Sequence, residues 1–209
     1  MEAESIIFDI DGTLWDSRHI VARGYNEYLT AHGMDHLQVT GEYLGSLFGR
    51  TMTEIADVFL AEIPVPRRYE ILQACMASEH EALVRDPCHI DFPGVVPTLE
   101  KLAENHRLFI VSNSQCGYPE LVLEKLNIAH LIEGHMCFGD TGLSKGETMK
   151  ILMERHNIRS AVYVGDTQGD LDACRHAGIP FVFCRYGFGS PESWDAAVDT
   201  FPQLLEIFC

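Results

Sequence analysis

Two carboxylates stand one residue apart at the end of an apolar run near the start of the chain. The stretch "IIFDIDGTL" places Asp9 and Asp11 in a turn that also contains Gly12. Acids brought together in this way repel each other unless a divalent cation binds, and Mg²⁺ prefers oxygen ligands. Beside such a cation, an ionised carboxylate can attack phosphorus. The pattern therefore predicts phosphoryl transfer, with Asp9 as nucleophile and Asp11 as the acid/base that exchanges protons with the leaving oxygen and with water.

Further polar side chains follow other apolar runs. Ser112 and Asn113 end "RLFIVSN", Lys145 lies in "TGLSKGE", and Asp166 and Asp170 lie in "GDTQGD". Ser112 and Asn113, with nearby backbone N–H groups, are suited to hold phosphate oxygens, and Lys145 adds a positive charge against the nucleophile and the phosphate. We expect Asp166 to ligate the cation and Asp170 to orient a water on it from the second shell of ligands.

The elements that would position these residues alternate between strand and helix. Short apolar runs bounded by turn residues are typical of buried parallel strands, and they fall at 5–9, 107–112, 161–165 and 180–184, with a weaker run at 135–138. Helical patterns separate them, at 95–105, 118–126, 145–156 and 169–177. This alternation predicts a doubly wound α/β fold with a parallel sheet, whose strands share one carboxyl edge. The predicted site lies at that edge.

One segment departs from this alternation. Residues 15–88 carry only helical patterns, at 18–33, 40–48, 52–62 and 67–85. We predict an α-helical cap domain over 15–88, inserted into an α/β core domain formed by 1–14 and 89–209. Arg50, in the glycine-flanked stretch "LFGRTMTE", is the candidate residue for contacting substrate from the cap.

The motifs "DIDGTL", the strand-end Ser112, Lys145 and "GDTQGD" occur in the order and at the spacing of the four motifs of the haloacid dehalogenase-like (HAD) hydrolase superfamily. The chain resembles this superfamily over nearly its whole length. Within it, the chain is similar to the subfamily with a helical cap after the first motif, which includes phosphoglycolate phosphatases and β-phosphoglucomutases.

The resemblance implies a Rossmann-like HAD core, Mg²⁺ as cofactor and a small phosphorylated metabolite as substrate. It also implies a metal site made by Asp9, by Asp11 through its backbone carbonyl, and by Asp166. Many relatives carry Lys-Pro-x-Pro at the third motif, whereas this chain has "SKGE" around Lys145. The departure keeps the lysine and predicts a more flexible segment after it.

Composition narrows the class of protein. The 209 residues carry a formal net charge of −16, so that no basic surface for nucleic acid can be assembled. No apolar run reaches membrane-spanning length, and no obligate protein partner is indicated. The seven cysteines include no CxxC pair and are interpreted as reduced thiols. We expect a cytoplasmic enzyme.

The sequence leaves two alternatives open, namely a β-phosphoglucomutase-like mutase and a non-catalytic phosphate-binding member of the family. Sugar phosphomutase relatives carry a histidine at the position of Val21, two residues after His19. The valine argues against the mutase. Phosphonate cleavage would need a lysine within 15–88, and there is none. A dehalogenase does not need Asp11, and a receiver domain would place its phosphoacceptor aspartate where Ser112 stands. A phosphatase is therefore favoured.

Overall fold

The structure is a computed structural model that describes residues 2–87 and 89–209. The chain divides into two compact units, one formed by Met1–Asp16 with Asp91–Cys209 and the other by Ser17–Ile90. The predicted boundaries, after 14 and after 88, lie close to these junctions, although Cys88 itself is outside the described residues. The separate roles of the two units as core and cap stay a prediction.

The larger unit, here called the core unit, contains a parallel sheet. In the described part of the chain it has six strands, in the order β3-β2-β1-β4-β5-β6. They are β1 (Ser5–Phe8), β2 (Arg107–Ser112), β3 (Ile132–Cys137), β4 (Ala161–Gly165), β5 (Phe181–Cys184) and β6 (Ala196–Val198). The central β1 pairs with β2 on one side and with β4 on the other. This arrangement confirms the predicted doubly wound α/β class.

The smaller unit, here called the helical unit, has its own apolar core. Its helices are α1 (Arg18–Ala31), α2 (Gly41–Gly45), α3 (Met52–Phe59) and α4 (Arg67–Arg85). Buried side chains such as Tyr25, Phe59 and Leu72 pack together between them. Gly24 allows α1 to approach α4 closely, because a Cβ there would overlap the backbone of Glu79.

Helices flank the sheet of the core unit. They are α5 (Val95–Ala103), α6 (Tyr118–Lys125), α7 (Phe138–Thr141), α8 (Lys145–Arg155), α9 (Gln168–Ala177) and α10 (Leu204–Phe208). On one face of the sheet, Ile7 and Phe109 belong to a buried cluster that includes Leu152 of α8 and Leu171 of α9. Burial of apolar surface contributes about 25 cal/mol per Å² to stability. Burial in this cluster therefore stabilises the strands whose ends carry the predicted site.

Some elements differ from the predictions. Strand β3 begins at Ile132, whereas the sequence predicted a start at 135. Its first residues were missed because Glu133 and Gly134 interrupt the apolar pattern. Strand β6 and the short helices α7 and α10 were not predicted, since segments of three to five residues carry too little periodicity to be recognised. None of the helices in residues 2–87 and 89–209 combines the length and apolarity that crossing a membrane requires.

Candidate active site

Three neighbouring strands place predicted site residues at the same edge of the sheet. Asp9, Ser112 and Asp166 directly follow or end β1, β2 and β4, which are adjacent in the order β2-β1-β4. The backbone N–H of Asp9 donates to the carbonyl of Val164 at 2.9 Å, so that the pairing of β1 with β4 continues into the site. The carboxyl edge of the sheet therefore brings together residues more than 150 positions apart in sequence, Asp9 and Asp166 among them.

Lys145 lies buried between two acids at this edge. Its Nζ atom is 3.0 Å from Oδ1 of Asp9 and 2.6 Å from Oδ1 of Asp170. Lys145 is the first residue of α8, a position where a positive charge opposes the helix dipole. The two carboxylates compensate for that unfavourable position. The segment after Lys145, predicted to be flexible, is the first turn of α8, which Ser144 and Glu147 close with a capping box.

The carboxylate of Asp170 accepts four hydrogen bonds from within the protein. Oδ1 accepts from Lys145, and Oδ2 accepts the backbone N–H groups of Asp166 at 3.1 Å and Thr167 at 2.9 Å and the hydroxyl of Thr167 at 2.8 Å. These bonds close the N-terminal turn of α9. Both oxygens of Asp170 are therefore already hydrogen-bonded within the protein.

The carboxylate of Asp166 differs from that of Asp170, because only one of its two oxygens accepts a hydrogen bond from the described residues. Oδ2 accepts the backbone N–H of Phe188 at 2.6 Å, whereas the buried Oδ1 has no hydrogen-bond partner in the described part of the chain. Glycines surround this carboxylate, since a Cβ at Gly12 or at Gly187 would overlap it. The backbone of "RYGFG" after β5 thus encloses Asp166, and Oδ1 is an acceptor that a ligand can complete.

Burial governs the protonation of these groups. Burial raises the pKa of Asp9 from 3.8 to about 7, against the opposing charge of Lys145 and with a contribution from Asp170. Burial, together with the charges of Asp170 and Asp9, also raises the pKa of Asp166 well above its usual value. For Asp170, burial is outweighed by the charge and hydrogen bond of Lys145, and the pKa is lowered. Without a cation, burial therefore favours the protonated forms of Asp9 and Asp166, whereas Asp170 stays ionised beside Lys145.

The donor set fits a divalent cation bound by oxygen. Carboxylate oxygens of Asp9, Asp166 and Asp170 all lie within 4.8 Å of one another. A cation beside Asp9 and Asp166 would favour their ionised forms and would give the bare Oδ1 of Asp166 a partner. Asp170 belongs to the same group of carboxylates, but both of its oxygens are already hydrogen-bonded within the protein. This agrees with the predicted role of orienting a metal-bound water rather than binding the metal directly.

Asp11 is partly buried beside two donors that the sequence analysis did not assign to the site. The indole Nε1 of Trp15 donates to Oδ1 of Asp11 at 3.0 Å, and the hydroxyl of Tyr118 donates to the same oxygen at 2.7 Å. Neither Trp15 nor Tyr118 was among the site residues predicted from the sequence. These hydrogen bonds fix the direction in which Asp11 points.

The remaining predicted residues lie as follows. The hydroxyl of Ser112 is buried at the end of β2 and accepts the backbone N–H of Ser114 at 3.2 Å, with Asn113 half-buried beside it. Arg50 belongs to the helical unit, where it is exposed in the turn that precedes α3. The roles of Arg50, Ser112 and Asn113 stay predictions.

Comparison with known proteins agrees with this geometry. The sequence profile of the haloacid dehalogenase-like hydrolases matches residues 6–184. The chain is 28% identical to a phosphoglycolate phosphatase of Xanthomonas campestris over 97% of this chain and 95% of that one, and 26% identical to a phosphoglycolate phosphatase of Rhodobacter capsulatus over 89% and 86%. A haloacid dehalogenase-like hydrolase from Streptococcus pneumoniae has the same fold, with a TM-score of 0.84, 19% identity and 99% of each chain covered.

The parallel sheet and its acidic edge thus define a hydrolase of the phosphatase class. The chain belongs to the haloacid dehalogenase-like hydrolases, because the family profile spans most of its length. The resemblance noted from the four motifs is confirmed, as is the expectation of an enzyme of this family.

Proposed function

We propose that this chain is a Mg²⁺-dependent phosphatase that hydrolyses a small phosphomonoester through an aspartyl-phosphate on Asp9. The observation that carries the proposal is the burial of Asp9 against Lys145, at the same edge as Asp166 with its bare Oδ1. Phosphoglycolate is the first substrate to test, because both of the curated relatives described above are named phosphoglycolate phosphatase.

In the first step, a carboxylate oxygen of Asp9 forms a bond to phosphorus and the bond from phosphorus to the ester oxygen breaks. Asp11, held by Trp15 and Tyr118, gives its proton to that departing oxygen, so that the product leaves as an alcohol. In the second step, Asp11 takes a proton from the attacking water, and the bond between phosphorus and the Asp9 oxygen breaks. Inorganic phosphate and the original carboxylate of Asp9 result.

Mg²⁺ would be held by Asp9, by Asp166 and by the backbone carbonyl of Asp11. Asp170 would orient a water bound to the cation. When bound, the cation neutralises charge on the phosphoryl oxygens and keeps the carboxylates ionised. Lys145 stabilises the ionised form of Asp9 through their 3.0 Å contact. Ser112 and Asn113 would bind phosphoryl oxygens at the end of β2.

The cytoplasm is the proposed compartment. The six cysteines in the described part of the chain are free thiols, which suits a reducing environment. The substrate is proposed to be a free small metabolite rather than a nucleic acid, since the formal net charge is −16.

The experiment compares Asp9→Asn with the control Asp172→Asn, which changes an exposed acid on α9. Phosphoglycolate, a panel of sugar phosphates and p-nitrophenyl phosphate are assayed with Mg²⁺ and with EDTA. We expect Asp9→Asn to lose about four orders of magnitude in kcat with its fold retained, and Asp172→Asn to remain active. Wild-type turnover in EDTA would contradict the metal dependence, and turnover by Asp9→Asn would remove Asp9 as nucleophile. A preference for another ester over phosphoglycolate would overturn only the substrate.

A further inference from the structure

A second group of potential metal ligands lies in the core unit, outside the aspartate cluster. Cys116 is in the loop that follows Ser112, Cys137 is the last residue of β3, and Asp140 is in the first turn of α7. One ligand atom from each of the three lies within 4.8 Å of the other two. The described cysteines form no disulfide, so both sulfur atoms are free to act as ligands.

Each of the two sulfur atoms lies near one oxygen of Asp140, at a distance that a tetrahedral metal site would also have. Sγ of Cys116 lies 3.6 Å from Oδ1 of Asp140, and Sγ of Cys137 lies 3.3 Å from Oδ2. A tetrahedral Zn²⁺ with Zn–S bonds of about 2.3 Å and a Zn–O bond of about 2.0 Å separates sulfur from oxygen by about 3.5 Å. Because one ligand atom from each residue lies within 4.8 Å of the other two, small movements of the side chains would let them share a cation.

The backbone holds these groups in place. The N–H of Cys137 donates to Oδ2 of Asp140 at 2.8 Å, and the N–H of Gly139 donates to the carbonyl of Ser114 at 3.1 Å. Gly139 has no side chain at a point where a Cβ would overlap the backbone and sulfur of Cys116. The loop with Cys116 is thereby fixed against the turn that bears Asp140.

Capping of α7 alone does not account for this choice of residues. Cys137 occupies the N-cap of α7, where serine, threonine, aspartate and asparagine are the preferred residues. A thiol is a weak hydrogen-bond donor, and here two thiols face one carboxylate. Two sulfur ligands and one oxygen are instead a donor set that favours Zn²⁺ over Mg²⁺.

We propose that Cys116, Cys137 and Asp140 form a binding site for a soft divalent cation of the Zn²⁺ class. Three protein ligands leave one position of the tetrahedron for water. On binding, each thiol loses its proton to solvent, so that one cation replaces two protons and the thiol–carboxylate hydrogen bonds become metal–ligand bonds. Because Ser112 and Cys137 are register partners at the ends of β2 and β3, the cation would link the Ser112 loop to the neighbouring strand.

The test uses Co²⁺ as a spectroscopic substitute for Zn²⁺ on the full chain, kept reduced with a phosphine and supplied with excess Mg²⁺. Cobalt bound by thiolates gives a sulfur-to-metal charge-transfer band, which cobalt bound by Asp9 and Asp166 cannot give. We expect one equivalent of this band, its displacement by one equivalent of Zn²⁺, and its loss in Cys116→Ser. The exposed Cys116 makes this variant a mild change to the fold, and circular dichroism verifies that the fold is kept.

Cys209→Ser is the matched control, because Cys209 is also an exposed free thiol. It should keep the full band and the full zinc stoichiometry. Asp140→Asn should weaken zinc binding on the order of tenfold or more. The absence of a sulfur-to-cobalt band in the wild-type chain, or a band that persists unchanged in Cys116→Ser, would overturn the proposal. Neither result depends on the phosphatase activity.

Discussion

The Nζ atom of Lys145 lies 2.6 Å from Oδ1 of Asp170, and both side chains are almost fully buried. The same Nζ is 3.0 Å from Asp9, so that Asp170 anchors the lysine which faces the proposed nucleophile. Asp170 is itself fixed by three bonds from Asp166 and Thr167 at the start of α9. The position of the ammonium group is therefore set by a hydrogen-bonded helix terminus rather than by a mobile side chain.

Removing the lysine should reduce stability as well as activity. Lys145→Met leaves Asp9 and Asp170 buried without their cation, and loss of one partner from a buried pair typically costs about 3–5 kcal/mol. We expect a decrease of that size in the free energy of unfolding measured by urea denaturation without Mg²⁺. The double variant Lys145→Met/Asp170→Asn removes one of the unpaired acids and should regain part of the stability but none of the activity. Equal stability of Lys145→Met and the wild type would show that the pair does not hold this edge together.

Much of the site is predictable from sequence because apolar runs identify buried strands. Asp9, Ser112 and Asp166 each stand at the end of such a run, and parallel strands share one carboxyl edge. Residue type and position along the strand were sufficient to place these three residues at the same edge of the sheet.

The contacts between side chains are harder to predict from the sequence. Tyr118 donates to Asp11 across 107 positions, and Lys145 meets Asp170 across 25, and neither pairing has a local pattern. The enclosure of Asp166 depends on the backbone of Phe188, whose side-chain type carries no information about its N–H. Such contacts follow from packing, which a single sequence does not specify.

A glycine comparison tests the close packing around Asp166. Gly12 and Gly142 both have positive φ, at 81° and 64°, but a Cβ at Gly12 would overlap the Asp166 carboxylate whereas a Cβ at Gly142 meets nothing within 4 Å. Alanine at either position should cost about 1–2 kcal/mol of stability from the left-handed backbone. Only Gly12→Ala should also displace Asp166, with a loss of about 10²-fold in kcat/KM. Similar kinetics for the two variants would contradict the tight fit.

The hydroxyl of Tyr118 should matter most when the leaving group is poor. Tyr118→Phe removes the 2.7 Å hydrogen bond to Asp11 and leaves the ring in place. We expect about a tenfold lower kcat/KM on an alkyl phosphate such as phosphoglycolate. On p-nitrophenyl phosphate, whose leaving group needs little protonation, the loss should be much smaller. Tyr43→Phe, at an exposed tyrosine of the helical unit, is the control, and an equal loss on both substrates would argue against a positioning role for Tyr118.

Without a divalent cation, stability should fall as the pH rises through neutrality. Burial raises the pKa of Asp9 from 3.8 to about 7, so that between these values the folded chain keeps a proton which the unfolded chain releases. The stabilisation is complete at low pH and is lost as the pH rises through the folded value. Urea denaturation in EDTA at about pH 5 and about pH 8 should show this fall, and a smaller one in Asp9→Asn. Mg²⁺ should restore more stability at the higher pH, and a pH-independent effect of Mg²⁺ would contradict its binding to Asp9.

Arg50 is the remaining predicted site residue, and kinetics can assign it. It is exposed in the turn before α3, whereas Arg67, also exposed on the helical unit, is paired with Glu70. If Arg50 binds the part of the substrate beyond the phosphate, Arg50→Ala should raise KM for the best metabolite about tenfold, the effect of losing one charged hydrogen bond. Its kinetics on p-nitrophenyl phosphate should change little, because that ester lacks the charged group of phosphoglycolate, and Arg67→Ala should match the wild type on both. Unchanged KM in Arg50→Ala would remove Arg50 from the proposed site.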